Sequence, residues 1–163
     1  MAFDSADIKY YYLMEAWRDN EHIDFNFFDA HDINTARDDS LDDTIKRRLS
    51  ERLSNAKQAV VLVSETTKVK ADKPSFLAHE MKVIARLGLP VVFANLNGKR
   101  KVQQKRLPTA LLEQYTISVS FQPAIIKYAL DDYVESFQKN LSAVNPKSGP
   151  YQYKDHVYTD LGL

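Results

Sequence analysis

The sequence predicts an α/β fold, a three-layer, doubly wound and mostly parallel sheet of five strands. Three observations predict it. Strand-like and helix-like patterns alternate along the whole chain. Ala59-Val60-Val61-Leu62-Val63 and Pro90-Val91-Val92-Phe93-Ala94 are nearly all-apolar runs, as expected of parallel strands covered on both faces. The segments between them carry apolar residues at helical spacing. The 163 residues suffice for one domain with a real core, and 44% apolar with 27% charged residues is an ordinary globular balance.

Only Met1-Ala2-Phe3-Asp4 is available for the first strand, which is therefore short or truncated. Asp7 to Asn20 reads as a helix through Ile8, Tyr12, Leu13, Ala16 and Trp17. Phe25 to Phe28 is a short aromatic strand, followed directly by Asp29-Ala30-His31-Asp32. Ser40 with Asp43 three residues later resembles a capping box, and Leu41, Ile45, Leu49 and Leu53 then recur every fourth residue. After the strand at 59–63 comes a Lys-rich loop, then a helix from Ser75 to Leu87 closed by Gly88, then the strand at 90–94. Pro108 opens a short helix before a weaker strand, Thr116 to Phe121, and an amphipathic helix spans Pro123 to Val144. The domain is thus 1–144, with an irregular tail rich in Pro, Gly and Tyr, 145–163, packed on it.

Composition removes several function classes. With no cysteine there is no disulfide, thiolate metal site or cysteine nucleophile. A net charge of +0 supplies no general attraction to nucleic acid or anionic lipid, and neither is expected as a partner. The basic run Lys99, Arg100, Lys101, Lys105 and Arg106 reads as a solvated loop. Nothing resembles a signal peptide or reaches membrane-spanning length, so a cytoplasmic location is expected. No metal site is expected: His79-Glu80 lacks the second histidine of a zinc-protease helix, since Val83 stands in its place. No P-loop or dinucleotide glycine fingerprint occurs.

In a doubly wound sheet ligands bind at the carboxyl ends of the strands, which nominates Asp4, Asp29, Ser64, Asn95 and Ser120 by position alone. The sharper signal lies on the Ser75–Leu87 helix. At about 100° per residue, Phe76, Leu77, Ile84 and Leu87 form one stripe, and Glu80 falls in the middle of it. A buried carboxylate costs several kcal/mol, roughly, unless paired, protonated or facing a cavity. Such groups cluster at functional sites. The plainer alternative is a structural carboxylate paired with Arg48 or Arg52, or one capping a neighbouring loop.

The order of motifs resembles the TIR-like family, closest to the TIR-like proteins of the bacterial Thoeris antiphage-defence system. The matching segments are Ala2-Phe3-Asp4-Ser5-Ala6-Asp7, Phe27-Phe28-Asp29-Ala30-His31-Asp32, Thr44-Ile45-Lys46-Arg47-Arg48-Leu49 and Val60-Val61-Leu62-Val63-Ser64. They are followed by Phe76-Leu77-Ala78-His79-Glu80 and Leu87-Gly88-Leu89-Pro90. Phe76 stands where the family has tryptophan. The resemblance implies a TIR-like, flavodoxin-like fold and an NAD-cleaving enzyme, a glycohydrolase or ADP-ribosyl cyclase. Its product would be an ADP-ribose-derived, linear, cyclic or conjugated signal nucleotide in antiviral defence. NAD would be the substrate, with no tightly bound cofactor. Glu80 matches the catalytic glutamate, and Phe3, Asp4, Asp7, Asp29, Asp32, Ser64 and Phe76 are the implied substrate-binding residues. A second copy of the chain and a phage-derived activator are the implied partners.

Two rivals stay open on sequence. A nucleoside deoxyribosyltransferase-like enzyme breaks a similar bond with a carboxylate in a related fold. A non-catalytic interaction module would make Glu80 structural and the loops 29–39 and 99–106 interface. A phosphoacceptor receiver is excluded by Ser64 at the end of its strand, and a flavodoxin by the poor phosphate loop Ser5-Ala6-Asp7.

Overall fold

The computed structural model describes residues 1–27 and 42–163. Its sheet holds β1 (Ala59–Val63), β2 (Val91–Asn95), β3 (Thr116–Ser120) and β4 (Pro150–Gln152), in that spatial order and all parallel. Ala59 lies opposite Val91 and Val63 opposite Asn95, while Asn95 lies opposite Ser120. The carboxyl ends of β1, β2 and β3 are therefore level and form one rim.

Helices cover both faces. Odd-numbered residues of β1 and β2 (Ala59, Val61, Val63, Val91, Phe93) enter one core with α2 (Asp42–Ser54), α3 (Thr67–Ala71) and α4 (Phe76–Leu87). Even-numbered residues (Val60, Leu62, Val92, Ala94) enter the other with α1 (Ile8–Arg18), α5 (Pro123–Leu141) and α6 (Asp155–Asp160). Alternation along a strand sends neighbouring side chains to opposite faces, so an all-apolar strand needs both layers. The chain is a three-layer α/β protein.

The expected fifth strand is reduced to a bridge among the described residues. Ala2 pairs in parallel with Val61, its N–H donating to Val60 O at 2.8 Å and its carbonyl accepting from Leu62 N at 3.0 Å. Pairing stops there because Asp4 caps a single 3-10 turn at Ser5–Asp7, which leads into α1. Phe25 to Phe27 form no strand; Phe25 is buried in the second core, edge-on to Trp17 at 5.7 Å. The rest of that expected strand, Asp29, Asp32 and the Ser40 helix start lie outside the described residues. The Lys-rich loop is in fact helical at α3, where Thr67 and Ala71, four apart, are buried, Lys70 is exposed and Lys68 pairs with Asp72 at 2.8 Å. Nor is the tail irregular. Gly149 turns it at φ 81° into β4, and Tyr158 of α6 is wholly buried in the second core.

Helix α4 has the boundaries that the sequence predicts. Ser75 accepts the Ala78 N–H at 3.0 Å, and Gly88 ends the helix at φ 60°. A Cβ built at Gly88 meets nothing within 4 Å, so any penalty for a side chain is purely conformational. Gly88→Ala is expected to cost about 1 kcal/mol. That corresponds to a fall in Tm of roughly 2–4 °C by thermal denaturation, with Gly88→Asn milder.

Candidate active site

Helix α4 carries the chain from the carboxyl end of β1 back to the amino end of β2, so its first turns stand beside the rim. Glu80 lies one turn in. It shares the buried face with Leu77, Met81 and Ile84 and is only 4% exposed. The wheel is displaced slightly from expectation: Phe76 is 41% and Leu87 38% exposed, so both sit at the margins of the buried stripe. Desolvation pushes the Glu80 carboxyl up to about 8, against the pull of the positively charged amino terminus of the chain. In this closed arrangement Glu80 therefore holds its proton at neutral pH.

At the carboxyl end of β1, the loop after Ala2 and the loop after the strand are tied into one polar cluster. Asp4 Oδ2 accepts from Thr66 Oγ1 at 2.9 Å, and Asp4 Oδ1 from Ala6 N at 3.3 Å. Ser64 Oγ lies 3.1 Å from both Thr66 Oγ1 and Thr67 Oγ1, and Ser64 N donates to Thr67 Oγ1 at 2.8 Å. Burial raises the Asp7 carboxyl, the Ser64 hydroxyl lowers it and the like charge of Asp4 raises it again, leaving it above its ordinary value. Asp7 Oδ2 is buried with no hydrogen-bond partner among the described residues. Two carboxyls ringed by hydroxyls form an acceptor-rich set, suited to a ligand that presents hydroxyl donors.

The structure thus joins Asp4 and Ser64 through the Thr66 hydroxyl, while Phe3 stacks on Tyr11 at 5.4 Å. Phe76 stands partly exposed at the start of α4. Thr66 and Thr67 were missed from sequence, although the hydroxyl run Ser64-Glu65-Thr66-Thr67 at a strand end was there to signal them. Asn95 and Ser120, the other rim residues, hold loops: Asn95 Nδ2 donates to Lys99 O at 2.8 Å and Lys101 O at 3.1 Å, and Ser120 Oγ donates to Gln122 at 2.8 Å. Of the basic run, Arg106 pairs with Glu65 at 2.8 Å and Arg100 lies over the Tyr158 ring at 4.4 Å, while Lys99, Lys101 and Lys105 are exposed. Among the described residues no three His, Asp or Glu side chains are grouped to hold a metal ion, and no helix is long and apolar enough to cross a membrane.

The chain is thus a parallel α/β protein with a buried glutamate on α4 and an acid-and-hydroxyl cluster on the loops after Ala2 and β1. The family model for the TIR-like domain of the Thoeris protein ThsB matches residues 1–101, more than half of the chain, and the protein belongs to this family. Glu80 and the seven implied substrate-binding residues fall inside the matched region, whereas Ser120, nominated by position, does not. Comparison with curated proteins gives no match.

The raised Glu80 carboxyl has a consequence for stability. The folded state keeps a proton at Glu80 that the unfolded chain, near 4.5, releases, so this group costs stability increasingly as pH rises from about 4.5 to about 8. Glu80→Gln removes that cost. Its Tm is expected to exceed the parent's by a few degrees near pH 8, with the gap shrinking towards pH 5, in paired thermal melts.

Proposed function

We propose that the protein is an NAD-cleaving enzyme of the Thoeris TIR-like type. The observation that carries the reading is Glu80, an acid buried on the first turns of α4. In the proposed reaction the bond between the ribose anomeric carbon and the nicotinamide nitrogen breaks. The bonding pair goes to the nitrogen, so nicotinamide leaves neutral and needs no general acid. The positive charge passes to an oxocarbenium-like ribose centre, which the Glu80 carboxylate stabilises or traps, as carboxylates do in glycoside hydrolysis. A water, or a nucleophile of the substrate or of a second molecule, then adds to the anomeric carbon and loses its proton to solvent.

Glu80 must be ionised for this role, and the cationic nicotinamide ring is what ionises it: an opposite charge nearby favours the carboxylate. At 4% exposure, substrate reaches the carboxyl only once the side chains over it move aside. Phe3, Asp4, Asp7, Ser64 and Phe76, with Asp29 and Asp32, would bind the substrate, the acids accepting from ribose hydroxyls. Self-assembly and a phage-derived trigger are proposed as the events that open the site, and the full family sheet of five strands is part of the same reading. The proposed setting is signalling in antiviral defence.

The test is incubation with NAD, with and without phage-infected lysate, followed by mass spectrometry. Nicotinamide released by the parent and at least 100-fold less by Glu80→Gln, roughly the loss expected for a key charge-stabilising group, supports the enzyme. The mass of the second product separates hydrolysis from cyclisation and conjugation. A concentration-dependent oligomer that consumes no NAD in any condition points to the interaction module, and turnover of deoxynucleosides instead of NAD to the deoxyribosyltransferase-like reading. In active protein, kcat/KM should climb with pH through about 8, the free-enzyme value of Glu80. The kcat limb should lie at lower pH, because bound substrate carries the cation. A flat kcat/KM profile between about pH 6 and pH 9 contradicts the role.

A further inference from the structure

The basic run that follows β2 has a fixed path at the carboxyl end of the sheet. Asn95 sets its start: its Nδ2 holds the carbonyls of Lys99 and Lys101, and its own carbonyl accepts the Gly98 N–H at 3.0 Å. Gly98 makes the turn at φ 72°, a value few side chains tolerate. Val102 N then donates to Gln152 Oε1 of β4 at 2.8 Å, which closes the loop against the sheet edge. The loop thus stands where ligands bind in parallel α/β sheets, outside the carboxyl ends of the strands.

Arg100 is the best-placed cation on it. Tyr158 is wholly buried, and its hydroxyl accepts the Ser120 N–H at 3.2 Å, so α6 fixes the ring against the carboxyl end of β3. Arg100 is half-buried with its guanidinium carbon 4.4 Å from the centre of that ring. The ring face attracts the cation but offers no lone pair, so the N–H groups keep their capacity for an acceptor. Among the described residues no carboxylate pairs with Arg100, Lys99, Lys101 or Lys105, and Glu65 is taken by Arg106.

We propose that this loop binds the phosphate groups of a nucleotide, with Arg100 as the bidentate contact. A planar guanidinium fork matches two oxygens of one phosphate, and stacking on Tyr158 holds that fork in place before the ligand arrives. Lys99, Lys101 and Lys105 add positive potential around it. Four cations on one short loop suit a ligand with more than one negative charge, which a diphosphate supplies and a single carboxylate does not. The phosphates belong either to the substrate itself or to a second, regulatory nucleotide; the recognition chemistry is the same. The site does not depend on Glu80 or on NAD being cleaved.

The test titrates inorganic pyrophosphate, ADP and adenosine into the full chain. Calorimetry reads affinity, and NMR follows the Arg100 Nε–Hε resonance, assigned by its absence from Arg100→Lys. Pyrophosphate and ADP are expected to bind and move that resonance, adenosine to do neither, and salt to weaken both complexes. Arg100→Gln, at unchanged Tm, is expected to bind pyrophosphate roughly tenfold more weakly or worse. No binding at millimolar pyrophosphate, an unmoved Arg100 resonance, or equal affinity in Arg100→Gln would overturn the site. Displacement of pyrophosphate by NAD assigns the loop to the substrate's own diphosphate, and simultaneous binding assigns it to a second nucleotide. The readout is binding alone, so a protein that holds pyrophosphate but cleaves no NAD loses the enzyme reading and keeps this one.

Discussion

Alternation along β1 is the constraint on which the rest of the structure depends. Its five residues are all buried, odd ones in the core beneath α2, α3 and α4, even ones in the core beneath α1, α5 and α6. A change of one residue in its register would exchange the contents of the two cores. The same strand fixes β2 on one edge and Ala2 on the other, and so places both loops of the rim. Thr67 records this dependence: its hydroxyl accepts from Ser64 N and donates to Leu62 O, tying the loop to the strand below.

Much of this was legible in the sequence because it rests on strong local rules. The runs at 59–63 and 90–94 are too apolar for a half-exposed strand, and Ser75 with Gly88 marks both ends of α4. Glu80 stood out because helical spacing put a charge among apolar neighbours. What escaped was short or set by packing. Helix α3 has five residues and β4 three, too few for any period to declare itself. The exposure of Phe76 and Leu87 reflects which side of α4 the sheet and α2 approach, a tertiary choice to which a wheel is blind. Single-residue pairing at Ala2 is likewise decided by register with β1, not by the composition of Met1-Ala2-Phe3-Asp4.

The site divides its work between two environments. Around Glu80 burial on the apolar face of α4 raises the carboxyl, against the pull of the positively charged amino terminus. On the rim the protein supplies hydroxyls and a carboxyl already joined by hydrogen bonds, a prearranged surface for polar recognition.

That division gives the most direct test of the proposed role of Glu80. Carbon-13 NMR titration of protein labelled at glutamate side-chain carboxyls should show one resonance, absent from Glu80→Gln, titrating near 8. On addition of NAD or a slowly cleaved analogue, its midpoint should move to lower pH as the nicotinamide cation settles beside it. A Glu80 resonance that titrates near the ordinary 4.5, or keeps its midpoint when NAD is added, would contradict the account.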